Sequence, residues 1–429
     1  MSKRLRRSAV YLVGTLGSVS LLLGGCVSAG GSTVTGAAAG STAVSAIPPP
    51  PDCGQPAEGD TVVILASGTA NEPRPSLTPQ AEQVLRDAAE SGDAADGRNG
   101  RGNVAVVTSA DTGTGGQPAE VLPLTPRRAN CEVEHGFQRD NLIDTNIARV
   151  RNAVAARAAV RPGLDLLAGI DNAVRGYSPG TLIVVSNGLS TDGGFDLRQV
   201  GWNANPADLV AQPAQRGLLQ DLLPGWHVLF TGLGATAGAQ PPLTKPARDT
   251  LVGYWTAICT AAAPGGSCHV DARPPDPSPP VATADMPLID VPGIDSATGP
   301  DGRTTVTLFD SVTGFAPDSA VLSADAQNIL RGISARIAAK LAQQPDTTIT
   351  IRGYVADPPD STPAGRQQTA DERARAVQAF LTDQLRAARF SPPIDAAGAG
   401  TPPHPPTAIV NGAFDDATAA QMRKVTITY

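Results

Sequence analysis

The stretch from Thr305 to Tyr429 alternates strand-like and helix-like patterns in an order that few folds can satisfy. Thr305-Val-Thr-Leu-Phe309 is a short β-rich run. From Ser323 to Gln344 the apolar residues Leu330, Ile333, Ile337 and Leu341 recur at spacings of three and four, which puts them on one helical face. Thr348-Ile-Thr-Ile351 alternates polar and apolar residues as a half-buried strand does, and it runs into a turn at Gly353-Tyr354. A polar, Pro-rich loop follows from Ala356 to Gly365. Thr369-Ala-Asp-Glu372 has the form of a capping box, so the second helix is expected to start there and to bury Ala374, Val377, Leu381 and Leu385. Lys424 to Tyr429 is a final strand. Two helices against a small mixed sheet make an α/β sandwich.

Upstream, residues from about Asp60 to Ala263 carry continuous apolar runs at Thr61–Leu65, Asn103–Thr108, Thr181–Ser186 and Trp226–Thr231. Such runs suit strands buried on both faces. Helix patterns lie between them at Thr78 to Glu90, Asn141 to Val160, Leu164 to Val174 and Arg248 to Ala262. The alternation predicts an α/β, doubly wound parallel sheet. Trp202, Trp226 and Trp255 are assigned to the core, and His227, inside Trp-His-Val-Leu-Phe, is read as a hydrogen-bonded core or sheet histidine.

The amino terminus opens with the basic run Lys3-Arg-Leu-Arg-Arg7 and a mostly apolar stretch from Val10 to Leu23. That stretch is too short for a comfortable membrane span. It ends in Leu23-Gly-Gly-Cys26, which resembles the bacterial lipobox. The resemblance implies cleavage before Cys26, a diacylglycerol on its thiol, and export to the outer face of a cell membrane or to an outer membrane. Two acyl chains anchor stably where one does not. Loss of Lys3, Arg4, Arg6 and Arg7, with no acid in the same segment, takes the formal charge from −7 to −11. A balance of that sign disfavours nucleic acid as a partner.

Four cysteines remain after Cys26, namely Cys53, Cys131, Cys259 and Cys268. An even number in an exported chain argues for disulfides with three possible connectivities. Cys259–Cys268, around Pro264-Gly-Gly-Ser267, is favoured and leaves Cys53–Cys131. The rival is zinc, because Cys131 precedes His135 and His269 follows Cys268, but the spacing is irregular. The expected organisation is a signal peptide over 1–25, a Gly/Ser-rich tether over 26–52, an α/β unit over 53–269, a Pro-rich linker over 270–302 that holds two units apart, and a last domain over 303–429.

The carboxy-terminal pattern resembles the OmpA-like domain, a peptidoglycan-binding module of bacterial envelope proteins. Arg373-Ala374, Val377 and Phe380-Leu381 fit the family's R-A-x-x-V-x-x-[YF]-L. Ile394, Gly398, Gly400 and Pro402 follow its apolar-Gly-Gly-Pro order, and Met422-Arg-Lys-Val-Thr-Ile427 fits its terminal N-R-R-V-x-I except for Met422. The resemblance implies that Arg373 and an Asp after the Gly-Tyr turn grip the zwitterionic end of diaminopimelate. Asp357 stands nearest that Asp position with a one-residue shift, Arg423 is a neighbour, and Arg366 replaces a family Asn. Arg pairs bidentately with a carboxylate, which suits such a ligand.

The middle unit resembles, more weakly, a von Willebrand factor A-type domain. Ala66-Ser-Gly-Thr69 and Val185-Ser-Asn-Gly188 stand where that family carries its metal-binding Asp residues. Ser67, Thr69 and Asn187 without a carboxylate make a poor Mg²⁺ site, and Asp192 in Thr-Asp-Gly-Gly reads as a turn. No metal or other cofactor is expected. No G-x-S-x-G nucleophile signature occurs, and His404 sits among prolines, so the expectation is a non-enzyme. Peptidoglycan, a membrane through the lipid, and an envelope protein for the middle unit are the expected partners. The alternative is an envelope adaptor whose last domain has lost its wall ligand.

Overall fold

A computed structural model describes residues 61–91, 103–111, 117–215, 219, 222–275, 278–315, 319–405, 407–410 and 412–429. The signal segment, Cys26, the tether and Cys53 lie outside them. The strands are β1 (Thr61–Ala66), β2 (Val104–Ser109), β3 (Glu120–Pro123), β4 (Thr181–Val185), β5 (His227–Thr231), β6 (Ser267–Asp271), β7 (Ile294–Thr298), β8 (Thr304–Phe309), β9 (Ile349–Tyr354), β10 (Ile394–Gly398), β11 (Ile409–Val410), β12 (Ala413–Phe414) and β13 (Lys424–Thr428). The helices are α1 (Pro79–Ser91), α2 (Arg139–Ala155), α3 (Leu166–Val174), α4 (Leu197–Val200), α5 (Pro206–Gln215), α6 (Lys245–Ala262), α7 (Asp310–Thr313), α8 (Ala324–Gln343), α9 (Pro363–Ala387) and α10 (Asp416–Met422). Among the described residues no helix is long and apolar enough to cross a membrane.

The first sheet runs β3-β2-β1-β4-β5-β6, parallel except for β3, which is antiparallel to β2. This is the doubly wound order, reversing between β1 and β4. Both faces are covered. Val62, Ile64 and Ile183 pack with Leu85, Ile143 and Val150, whereas Val63, Leu65 and Val184 pack with Ile170, Trp255 and Ile258. Consecutive residues of one strand therefore enter opposite cores, which is why these strands read as unbroken apolar runs. Thr244 caps α6 by accepting from the Ala247 amide, ahead of a Pro in the first turn.

Cys259 on α6 and Cys268 on β6 are joined by a disulfide across a sequence separation of 9. Cys131 is disulfide-bonded as well. Oxidised sulfurs leave Cys131 and Cys268 without the thiolates that zinc would require. His227 is a hydrogen-bonded sheet histidine, as one of the two expected placements had it: it is the first residue of β5, exposed, with Nδ1 2.9 Å from Ser267 Oγ. Trp226 and Trp255 are buried in the core. Trp202 is half-buried and donates from Nε1 to the Asp290 carbonyl at 2.6 Å.

The positions read as a vestigial metal site hold a carboxylate that the local pattern hides. Glu72, 4% exposed, accepts from Ser67 Oγ (2.7 Å), the Thr69 amide (2.5 Å) and the Asn187 amide (2.8 Å). It thus ties the ends of β1 and β4 together at the reversal point. Burial raises its pKa, while bonds from Ser67, Thr69 and Asn187 act in the opposite sense. Asp192 caps the Gly193–Phe195 turn, in agreement with its reading as a turn residue.

The Pro-rich segment after β6 does not stand free. Gln240 donates to the Ile289 carbonyl at 2.8 Å and accepts from the Ile289 amide at 2.9 Å, and Asn71 Nδ2 donates to the Pro287 carbonyl at 3.1 Å. Ile289, Val291 and Ile294 are buried. The prolines up to Pro292 keep regular structure out of that part of the segment without excluding packing: scattered apolar residues bury themselves, and side-chain amides satisfy the backbone. Ile294 to Thr298, inside the stretch assigned to the linker, forms β7.

The second sheet runs β10-β9-β13-β8-β7, with β9 and β10 parallel and the other neighbours antiparallel. Val306, Leu308, Ile349, Ile351, Val425 and Ile427 turn to one face, where they meet Ile333 and Ile337 of α8 and Val377 and Leu381 of α9. Gly353-Tyr354, expected as a turn, ends β9. The expected start of α9 at Thr369 is also corrected. The N-cap is Thr362, accepting from the Gly365 amide, with Pro363 at N1. Two start signals lie seven residues apart, and the Thr-Pro pair prevails because the intervening Gly-Arg-Gln-Gln run tolerates a helix.

Replacing Cys259 and Cys268 together by Ser is expected to lower stability by about 2–3 kcal/mol, since the disulfide closes a short loop. Urea unfolding of the oxidised and substituted chains measures it, and equal midpoints would contradict it. Glu72→Ala strands three buried donors and is expected to cost on the order of 3 kcal/mol in the same measurement. A loss below about 0.5 kcal/mol, the usual range for surface changes, would show that those donors find other partners.

Candidate functional site

A cavity of about 510 Å³ opens between the start of α7, the first turns of α9, and α10. Its polar lining comes mainly from Asp310, Arg366, Thr369, Arg373, Asp416 and Arg423, and Phe315 and Phe414 supply aromatic walls. Thr362, Arg366, Thr369 and Arg373 follow one another at spacings of four, three and four, so the early capping of α9 places all four on one face. Arg423 is the C-cap residue of α10, and Asp310 opens α7 directly after β8.

Arg423 Nε donates to Asp310 Oδ2 at 2.8 Å, and the two side chains are 29% and 21% exposed. Asp310 Oδ1 is buried and has no partner among the described residues. Arg373 is 4% exposed, lies over the Phe315 ring at 4.9 Å from its centroid, and donates from Nε to the Ser319 carbonyl at 3.1 Å. Stacking of this kind holds a guanidinium plane in place while leaving its charge intact. Arg366 donates from Nη1 to the Ser361 carbonyl (3.1 Å) and hydroxyl (3.0 Å). Three guanidiniums and two carboxylates thus line one cavity. Such a mixed set can take a ligand that carries both a carboxylate and an ammonium, with an excess of positive charge for the carboxylate.

Of the residues expected here, Arg373 and Arg423 line the cavity together and Asp357 does not. Its carboxylate accepts from Thr407 Oγ1 and from the Ala408 amide, both at 2.6 Å. Burial alone would raise its pKa, but the bonds from Thr407 and Ala408 outweigh that and hold it below the ordinary carboxylate range. Met422, which departs from the family's Asn, is fully buried with Ala356, Ala408 and Ala419. An Asn there would lie among apolar neighbours. Sequence reasoning passed over Asp310 and Asp416. The signal for Asp310 was its position directly after a strand that pairs with the Arg423-Lys424 segment.

The OmpA family model matches residues 314–404. No curated protein matches the chain. Among solved structures, a peptidoglycan-associated lipoprotein from Burkholderia pseudomallei is 21% identical, over 29% of this chain and 88% of that one, with a TM-score of 0.21. The cell wall anchor of the T6SS from Pseudomonas aeruginosa is 21% identical over 32% of this chain and 86% of that one, at a TM-score of 0.22. A putative MotB-like protein from Desulfovibrio vulgaris is 19% identical over 32% and 76%, at 0.23. The von Willebrand-type resemblance of the middle unit gains no support from these matches. Residues 314–404 are an OmpA-family domain at the carboxy-terminal end of a longer chain.

Proposed function

We propose that this protein is a non-enzymatic envelope lipoprotein whose last domain binds the diaminopimelate of peptidoglycan stem peptides, linking a lipid-anchored amino terminus to the cell wall. The observation that carries this reading is the mixed-charge cavity built by Asp310, Arg373 and Arg423 inside the OmpA-family domain. The free end of diaminopimelate carries one ammonium and one carboxylate, and the lining offers both countercharges. Asp310, and not Asp357, supplies the acid in this reading, because the 407–408 loop already occupies Asp357. The lipid anchor rests on Leu23-Gly-Gly-Cys26. The doubly wound unit serves as an interaction module for an envelope protein partner.

One observation favours the adaptor alternative. Both family positions, Asp357 and Arg373, are engaged within the protein itself, Asp357 by Thr407 and Arg373 by Phe315 and Ser319. An adaptor would keep the fold and ignore the wall.

Co-sedimentation of the detergent-solubilised whole chain with purified sacculi separates the two. The chain is expected in the pellet, and Asp310→Asn or Arg423→Ala should weaken binding by about tenfold through loss of a charge-assisted contact. Asp357→Asn should weaken it less. A wild-type chain that stays in the supernatant, beside a control wall binder that pellets, would establish the adaptor reading instead. For the anchor, Cys26→Ser should abolish metabolic labelling by a fatty acid, and equal labelling of both chains would end that part of the proposal.

A further inference from the structure

The geometry points to Arg366 as the residue that sets ligand specificity: the cavity selects a diaminopimelate whose side-chain carboxylate is free over one in which it is a carboxamide. This inference rests on the peptidoglycan reading above and goes beyond it. Of the guanidiniums in the lining, Arg423 is paired with Asp310 and Arg373 is stacked on Phe315 and bonded to Ser319. Arg366 spends only Nη1 on the protein, on the carbonyl and hydroxyl of Ser361. Its Nε and Nη2 make no protein hydrogen bond among the described residues, and the side chain lines the cavity from the first turns of α9. The Ser361 contacts fix the orientation of the plane and leave a donor pair for an incoming group.

A guanidinium edge with two parallel donors matches a carboxylate, which accepts at both oxygens. A carboxamide accepts at one atom and presents N–H donors at the other, so one Arg donor would meet another donor. The complementary end of the ligand is provided for as well. Asp310 Oδ1 is buried, unpartnered among the described residues, and belongs to the same lining. Its other oxygen is held by Arg423, so Asp310 keeps one oxygen whose acceptor capacity is unused among the described residues. An α-amino acid terminus would then lie with its ammonium on Asp310 and its carboxylate on Arg366, while Arg373 stays a wall of the cavity. The helix end adds to the preference, since the amino-terminal turn of α9 places partial positive charge on the side where the carboxylate would sit.

The test is calorimetric titration of the whole chain in detergent with two soluble tripeptides that end in diaminopimelate. One has a free side-chain carboxylate and the other has a carboxamide at that place. The free acid is expected to bind about tenfold or more tightly than the amide, the discrimination available to a site that hydrogen-bonds the group it recognises. Arg366→Asn should bring that ratio to within about twofold, with the loss falling mainly on the free acid, a change that a merely structural role of Arg366 would not produce. Arg366→Lys, which keeps the charge without the fork, should leave an intermediate ratio. Equal binding of both peptides by the wild type, or a ratio that survives Arg366→Asn, overturns the specificity assignment and leaves wall binding intact. Binding of neither peptide overturns the assignment and the peptidoglycan reading together.

Discussion

The close seating of α9 on the β9–β10 pair governs the carboxy-terminal domain. Ala370, fully buried, lies over two glycines. A Cβ on Gly353 would come within 2.3 Å of the Ala370 carbonyl oxygen, and one on Gly398 within 2.5 Å of the Asp371 amide. No side chain can be added at either place without lifting the helix. Asp371 then accepts from the Gly398 amide, and Gln367 donates to the Gly398 carbonyl at 2.9 Å, so helix and strand are also bonded in register. With residue 370 facing the sheet, a period of 3.6 puts Arg366 and Arg373 beside it on one flank. The guanidiniums of the cavity are aimed by a backbone contact several ångströms away.

Much of this was legible beforehand. The four apolar runs of the first unit became β1, β2, β4 and β5, because strands buried on both faces leave an unbroken signature. The helix faces Leu330–Leu341 and Ala374–Leu385 are buried, and a 3.6 period survives any packing partner. The start of α9 was misplaced because two valid caps compete, and only the tertiary contact at Ala370 requires a helix through both. β3 and β6 lacked a signal, since Glu120–Pro123 lies on a half-exposed edge and Ser267–Asp271 is a polar strand stapled by its cysteine. Arg373, singled out from its helix motif, lines the cavity. Asp310 did not show, because its role is set by which strands pair and not by its neighbours in sequence.

Glu72 illustrates the same limit in the first unit. Its flanks, Asn71 and Pro73, read as a polar turn, and nothing local announces a carboxylate 4% exposed. It is buried because Ser67, Thr69 and Asn187, from two strand ends brought together at the sheet's reversal point, direct donors at one spot. Those residues had suggested a metal site lacking its acids. The acid is present and belongs to the loop, where it accepts the hydroxyl and amides directly. A carboxylate with three internal donors holds two loops together, and the crevice where doubly wound sheets commonly admit a ligand keeps a cavity of only about 20 Å³ beside Glu72, Ser186, Asn187 and Thr231.

The last domain has the opposite economy of charge, and sheet register explains why. β8 and β13 pair antiparallel with Phe309 opposite Lys424. The residue that follows Phe309 and the residue that precedes Lys424 must therefore leave the ladder side by side, and these are Asp310 and Arg423. Their ion pair joins positions 113 apart in sequence as a consequence of the ladder. One wall of the cavity is thus set by strand register and the other by the seating of α9. Groups placed by two rigid registers need little rearrangement to meet a ligand, which favours recognition by charge geometry over recognition by closure. Asp310 is held by Arg423 through one oxygen and keeps the other without a partner among the described residues, and because that pair and the charges of Arg366 and Asp416 each cancel, Arg373 leaves the lining net positive.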